Sequence, residues 1–405
     1  MASTSGLSRR RGAAGAKPEG GALAPSSTQP SLSPSHSRPT SPLSAPGQPS
    51  NASPVGHKVA YDERDLNNSE DERVNPRLTL MEEVLLLGLK DKQGYLSFWN
   101  DNISYTLRGC IVLELALRHR IAMVRDPNRR RFPLADRYIE VIDDKLTGEV
   151  LLDEALKMMK VSERMSVGTW IDLMSGETWN VMKIGYQLKQ VRERLAKGLV
   201  DKGVLRTEKR NFLLFDMATH PVSDPTFKDD VLRRTLSLLT SRTAAVPTSN
   251  MYGEEVRYRT IRAVSMVCAA FAANVLENAL VHLSYDQREN AFAKADELLA
   301  DFSQWPFGAY GPSGIAGGGM GGGVAGGAVG SKTSGTRPGG IATGGSAASA
   351  ESANLAEIMR LARLETVGQG TGDSPGGAEK QTQRELCLEV VAACVEVFRR
   401  MDSLL

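Results

Sequence analysis

Two stretches with few large apolar side chains limit how much of this 405-residue chain can fold. The first, residues 1–72, is dense in Ser, Pro, Gly and Ala, and the second, 308–349, contains the run GIAGGGMGGGVAGGAVGSKTSG. Neither can bury enough apolar surface to offset the entropy lost by an ordered chain. We therefore predict a disordered tail over 1–72 and one folded domain over 73–405, with 308–349 as a flexible Gly-rich insertion.

Helical patterns dominate the rest of the chain. Thr79-Leu80-Met81-Glu82 is a capping-box pattern that predicts the start of a helix. Apolar residues from Ile184 to Leu199 recur at helical spacing and predict one long helix over 181–202. Further helices are predicted over 107–118, 231–239, 262–283, 286–302, 353–364 and 384–404. The predicted fold class is mainly α, a single helical domain.

Two pairs of short strands are predicted among these helices. Residues 121–124 and 138–142 have strand character and are joined by the basic loop DPNRRRFPLAD. The stretch RTEKRNFLLFDM predicts a projecting β-hairpin with its turn at 209–211. The segment WIDLMSGETWN is typical of a packed turn.

The composition excludes several classes of function. Lys plus Arg number 49 against 47 for Asp plus Glu, so the net charge of +2 gives no global attraction to nucleic acid or membrane. No paired carboxylates, nucleophile elbow or Cys/His arrangement indicates an enzyme. We expect no catalysis, metal or cofactor. The cysteines lack metal-site spacing and lie in apolar helical contexts typical of buried reduced thiols: Cys110, Cys268, Cys387 and Cys394.

The expected location is cytosolic. No apolar run follows Arg9–Arg11, so the N-terminus does not resemble a secretory signal. The most apolar helical stretch, 263–283, contains Asn274, Glu277 and Asn278, which argue against a membrane span. Any contact with a membrane is therefore expected to be peripheral.

One candidate site lies where two large aromatic residues meet a polar run. Phe98 and Trp99 stand directly before Asn100-Asp101-Asn102, and Arg108 follows as apolar periodicity resumes. One interpretation is a core aromatic pair running into a turn, with Arg108 on a solvated helix end. The other is an exposed aromatic beside a cation, a site for an anionic group at an interface.

A second candidate site is the pair Lys189 and Arg192, which share one side of the predicted long helix. Two such cations can hold a phosphate together, Arg as a planar fork and Lys as a point charge. The alternative is a solvated face on which Lys189 pairs with Glu193. Spacing alone favours the solvated face.

The hairpin carries four large apolar residues in a row, which strict alternation cannot send to one core. The run is either a strand buried on both faces or an exposed apolar tip for a bilayer or a sister subunit. Its members are Phe212, Leu213, Leu214 and Phe215.

A winged-helix nucleic-acid module is a weaker alternative. A helix followed by a hairpin occurs twice, after Leu107 and after Val181. However, neither helix carries a dense run of Lys, Arg, Asn and Gln for reading bases.

Several long motifs, in order, resemble the Golgi phosphoprotein 3 family in its fungal form. The resemblance covers 74–305 and returns near the C-terminus. The motifs are LTLMEEVLLLGLKDKQGYLSFWND, LRGC, LLDEALK, LMSGETWN, QLKQVRERLAKGLVDKGVL, TEKRNFLLFDMATHP, VLENAL and CLEVVAACVEVFRRMDSLL.

The resemblance implies a peripheral protein of the cytoplasmic face of the Golgi, with a cytosolic pool, that binds phosphatidylinositol 4-phosphate. It also implies an oligomer that links the cytoplasmic tails of Golgi glycosyltransferases to the coatomer coat, with no nucleic acid as partner. The Gly-rich insertion departs from the family pattern.

The resemblance also assigns residues to these roles. The lipid headgroup site falls on Trp99, Arg108, Lys189 and Arg192. The hairpin implied in membrane insertion and self-association falls on 206–217, with Phe212, Leu213, Leu214 and Phe215 as its apolar residues. The basic cluster implied in coatomer binding falls on Arg9, Arg10 and Arg11.

Overall fold

The computed structural model describes residues 74–96, 102–178, 180–212, 215–241, 243–309, 345–367 and 377–402. The tail over 1–72 and nearly all of the insertion over 308–349 fall outside these ranges, so their predicted disorder stays a prediction. All described residues belong to one unit of the chain, Tyr61–Leu405.

The described part of the chain is mainly helical, as predicted. Its helices are α1 (Leu80–Gly88), α2 (Asn102–Leu117), α3 (Val150–Val161), α4 (Val167–Ser175), α5 (Val191–Asp201), α6 (Pro225–Thr240), α7 (Arg259–Ala272), α8 (Glu277–Leu280), α9 (Tyr285–Phe302), α10 (Gly345–Val367) and α11 (Gly377–Asp402). Short 3-10 helices lie at Pro127–Arg131, Leu134–Asp136 and Val181–Tyr186. The strands are β1 (Ile121–Met123), β2 (Ile139–Val141), β3 (Glu208–Phe212) and β4 (Phe215–Thr219).

Helix α1 begins with the predicted capping box. The Thr79 hydroxyl accepts from the Glu82 N–H at 3.4 Å, and the Glu82 carboxylate accepts from the Thr79 N–H at 2.8 Å. Periodicity predicts one buried apolar face for α1, but every residue of the helix is buried. The reason is that α2, α5, α6 and α7 surround it.

Helix α2 lies at the centre of the core and packs against α1, α4, α7 and α11. Its closest approach to α11 is at Gly109, where an added Cβ would lie 2.3 Å from the Phe398 ring. A larger residue at Gly109 would therefore push the two helices apart. The four cysteines are buried and free, as predicted.

A buried carboxylate, that of Glu114, joins three helices. It accepts from the Leu80 N–H at 3.2 Å, from Arg118 Nε at 2.8 Å and from Arg262 Nη1 at 2.9 Å. Burial alone would raise the pKa of Glu114, but the charges of Arg262 and Arg118 outweigh it and lower the pKa to about 2. Glu114 is therefore a charged centre that holds α1 and α7 on α2.

The prediction of one long helix over 181–202 is wrong. The chain forms the 3-10 helix Val181–Tyr186, then turns at Gln190, whose φ of 53° is left-handed, before α5 begins. Leu188 and Val191 are both buried and keep the apolar spacing across the break, whereas Ile184 is exposed. The helical spacing of buried apolar residues therefore continues across a position at which the helix itself is interrupted.

Other boundaries also differ from the predictions. The helix predicted over 262–283 ends at Ala272, and Asn274, with φ 54°, separates it from α8. Helices α3 and α4 were not predicted. The segment interpreted as a packed turn includes much of α4, whose Trp170 is buried.

Both pairs of strands are antiparallel, as hairpin strands must be. Ile121 pairs with Val141 in the β1–β2 pair, which confirms the predicted strands. In the β3–β4 pair Phe212 pairs with Phe215. The predicted turn at 209–211 is wrong, because these polar residues lie in β3, on a hairpin largely exposed to solvent.

We expect Glu114→Gln to lower the free energy of unfolding at pH 7 by about 3 kcal/mol, because it leaves buried guanidinium charges uncompensated. The folded-state pKa is depressed, so this stabilisation is present above pH 4.5 and is lost as pH falls toward 2. Urea unfolding of both proteins across this range should show the difference shrinking. The exposed Glu163→Gln is the matched control, and a difference that does not vary with pH would contradict the assignment.

Candidate functional site

Three of the four predicted headgroup residues lie in the described ranges and meet at the start of α5. Arg108 comes from α2, Lys189 directly precedes the turn before α5, and Arg192 lies in its first turn. Trp99 lies outside the described residues, so its predicted place at the interface stays untested.

Arg108 is buried, with 8% of its surface exposed, which contradicts its interpretation as a solvated helix end. Its Nη1 donates to the Ser104 carbonyl at 2.7 Å, its Nη2 to the Leu188 carbonyl at 2.7 Å and its Nε to the Met174 carbonyl at 3.4 Å. Arg108 thus fixes the end of α4 and the residue before Lys189 on α2. Described residues accept from three of the five N–H groups of a guanidinium.

The surroundings of the Arg108 guanidinium destabilise its charged form. Burial and, to a smaller extent, the nearby charge of Arg192 lower its pKa to about 10, although the charge of Glu193 opposes them. Arg108 therefore remains protonated at neutral pH but repels Arg192. An anion placed between the two would relieve both the burial and the repulsion.

Lys189 and Arg192 do not share one helix face, because the turn at Gln190 separates Lys189 from the helix that carries Arg192. The left-handed Gln190 gives no side-chain cap to α5, and Lys189 lies before the helix. The start of a helix carries free N–H groups and a partial positive charge, which attract anions. Lys189 is exposed, as the solvated-face alternative predicts, but neither Lys189 nor Arg192 forms an ion pair with any residue that the structure describes, so the predicted pairing of Lys189 with Glu193 is wrong.

The hairpin base is joined to the segment that leads toward Trp99. The His220 N–H donates to the Gly94 carbonyl at 2.8 Å, and the Val222 N–H donates to the Asp91 carbonyl at 3.0 Å. Gly94 has φ +70°, and an added Cβ would lie 2.2 Å from the Pro221 nitrogen. Only glycine permits this approach. Of the hairpin's apolar run, the backbones of Phe212 and Phe215 are described, whereas Leu213 and Leu214 lie outside the described residues.

Sequence reasoning missed one feature beside this site. Val181, Met182 and Ile184 of the 3-10 helix Val181–Tyr186 are 76%, 88% and 49% exposed. The sequence shows these apolar residues shortly before Lys189, but helical spacing places Ile184 on the apolar stripe of the predicted long helix and says nothing of Val181 and Met182.

The structure argues against the winged-helix alternative, because α2, one of its two recognition helices, is buried along most of its length. Arg9, Arg10 and Arg11 lie outside the described residues. Within the described ranges no group of three or more His, Cys, Asp or Glu could hold a metal ion. No described helix has the length and apolar character needed to cross a bilayer.

Comparison with known proteins gives the same family in a family model and in individual relatives. The Golgi phosphoprotein 3 (GPP34) family matches residues 80–329. The chain belongs to this family. Vacuolar protein sorting-associated protein 74 of Schizosaccharomyces pombe is 52% identical over 349 residues, 86% of this chain and 89% of the relative. The protein of the same name from Eremothecium gossypii is 57% identical over 251 residues, 62% of this chain and 76% of the relative.

The match to the Golgi phosphoprotein 3 family includes Arg108, Lys189, Arg192 and the hairpin, but it ends before α10 and α11. Helix α11 nevertheless completes the core against α2. The folded domain therefore extends across the Gly-rich segment to the C-terminal helix.

We expect Arg108→Ala to lower the free energy of unfolding by about 2–4 kcal/mol, because three carbonyls lose their charged donor. The double change Lys189→Ala and Arg192→Ala should shift it by no more than about 0.5 kcal/mol, because these side chains have no described partner. Urea denaturation followed by circular dichroism measures both. Equal stability of the two variants would show that Arg108 does not anchor the site.

Proposed function

We propose that this protein is a peripheral, non-catalytic adaptor that binds phosphatidylinositol 4-phosphate on Golgi membranes. It links the cytoplasmic tails of Golgi glycosyltransferases to the coatomer coat and so retains these enzymes in the Golgi. Membership in the Golgi phosphoprotein 3 family supports the trafficking role. The names of both relatives refer to protein sorting.

The observation that carries lipid binding is the excess of positive charge at the start of α5. Glu193, whose charge acts on Arg108, forms no ion pair with Arg108, Lys189 or Arg192 in the part of the chain that the structure describes. A phosphate monoester carries between one and two negative charges at neutral pH and accepts several hydrogen bonds. A phosphate monoester is therefore the kind of group that the planar arginine guanidinium groups, the lysine ammonium group and the N-terminus of α5 would bind together.

The strength of such binding is limited. A basic residue near an anionic leaflet contributes about 1 kcal/mol, so three give weak, reversible association. Stable residence needs apolar insertion or several linked sites. The apolar run 212–215 and self-association through the hairpin would supply these, and Arg9–Arg11 would contact coatomer from the tail.

We expect the Lys189→Ala and Arg192→Ala double variant to bind vesicles containing phosphatidylinositol 4-phosphate about 30-fold more weakly than the wild type, because two cations are lost. Flotation with phosphatidylcholine vesicles that contain either this lipid or charge-matched phosphatidylserine measures the effect and its specificity.

A matched control removes the same charge elsewhere. Arg130 and Arg131 are exposed and have no ion-pair partner in the described part of the chain, whereas neighbouring Arg129 is held by Glu389. Arg130→Ala with Arg131→Ala should leave the lipid preference intact. If both double variants lose binding equally, the attraction is nonspecific and the site assignment is wrong.

We also expect Leu214→Asp to preserve the fold and weaken vesicle binding, because a carboxylate opposes insertion of the hairpin tip into a bilayer. Ala218→Asp, at an exposed position of β4, is the matched control for the added charge. Circular dichroism tests folding, and sedimentation without vesicles tests self-association. An unfolded Leu214→Asp protein would show that the tip is part of the core.

A further inference from the structure

The 3-10 helix Val181–Tyr186 exposes more apolar surface than a free monomer would be expected to leave in water. Val181 and Met182 are 76% and 88% exposed, and Ile184 is 49% exposed. Elsewhere in the described residues, large exposed apolar side chains do not occur three within four positions. Single exposed apolar residues need no explanation, but a contiguous group at one tip indicates a contact surface.

This tip is held in place from both ends. The Asn180 side chain accepts from the Met182 N–H at 3.0 Å, which caps the turn. At the other end the ring of Tyr186 packs edge-on against Trp170 at 5.8 Å, and the Leu188 N–H donates to the Met174 carbonyl at 3.0 Å. The apolar side chains are therefore presented outward by an anchored turn.

From the tip to Arg192, directly before Glu193, every charged side chain of the chain is a cation. The stretch VMKIGYQLKQVR, residues 181–192, contains Lys183, Lys189 and Arg192 and no carboxylate. Large apolar side chains flanked by cations are typical of protein segments that lie in the headgroup region of an anionic bilayer. An interface with a second protein is less favoured, because these cations would then have to be buried or paired.

We propose that Val181, Met182 and Ile184 insert into the anionic bilayer as a wedge beside the cationic headgroup site. The inference rests on the proposed lipid binding. It adds a second, apolar contact on the same chain segment as Lys189 and Arg192. Membrane residence would then depend on this wedge as well as on the hairpin.

A dye placed at the tip tests the proposal directly. All four cysteines of the chain are buried, so Met182→Cys offers a single accessible thiol for an environment-sensitive fluorophore. Val161→Cys, at a position 85% exposed in α3, is the matched control. The vesicles are phosphatidylcholine with phosphatidylinositol 4-phosphate, with and without a quencher attached to the acyl chains.

With these vesicles we expect a blue shift and quenching for the dye at position 182 and neither for the dye at position 161. If the labelled protein floats but the dye at 182 behaves like that at 161, the wedge is wrong while lipid binding stands. If the protein does not float, the proposed function fails and the wedge with it. A blue shift that grows with protein concentration without vesicles would identify a second copy as the occupant and overturn the proposal.

A second variant separates the wedge from headgroup recognition. Met182→Asp should reduce vesicle binding at least tenfold, because a side chain that would leave water now carries a charge. Its affinity for the soluble headgroup, glycerophosphoinositol 4-phosphate, should stay within twofold of the wild type. The Lys189→Ala and Arg192→Ala variant should lose both. Unchanged vesicle binding by Met182→Asp would overturn the wedge.

Discussion

The geometry of the candidate site depends on one buried guanidinium, that of Arg108. Its bonds to the carbonyls of Met174 and Leu188 hold two separate chain segments on the central helix α2. Leu188, and hence Lys189, is also held by the bond from the Leu188 N–H to the Met174 carbonyl and by the buried Leu188 side chain, so Arg108 acts together with core packing. A residue that family resemblance assigns to lipid binding is therefore also structural, and loss of membrane binding in an Arg108 variant would not by itself prove a lipid contact.

Arg108 and Glu114 lie on the same helix but differ in how their buried charges are compensated. Glu114 is buried with two guanidinium partners, so its charge is compensated within the fold. Arg108 is buried against neutral carbonyls and a second cation, so its charge is not compensated. Uncompensated buried charge destabilises a free protein, and an anionic ligand can recover that free energy on binding.

Much of the fold was predictable from the sequence, because capping and periodicity are local. The Thr79 capping box and the β1–β2 strands follow from residue types alone. The break at Gln190 was not predictable, because the buried Leu188 and Val191 keep helical spacing across a left-handed residue. Spacing favoured a solvated face for Lys189, and Lys189 is indeed exposed, although it lies before the helix rather than on it. The site residues came from family resemblance, since the meeting of Arg108 with Leu188 is a tertiary contact between distant parts of the chain.

Helix α5, whose start carries the candidate site, is anchored to the core at both ends. Its start is set by Leu188 and the Gln190 turn, and just past its end Lys202 donates to Glu82 at 2.8 Å and to Glu149 at 2.7 Å. Glu82 is the capping residue of α1, so α5 is fixed to the core at both ends. A site held in this way loses little conformational entropy on binding. An anionic ligand of the proposed site would then gain useful affinity from three cations although each contributes little, and its release would be fast because no single contact is strong.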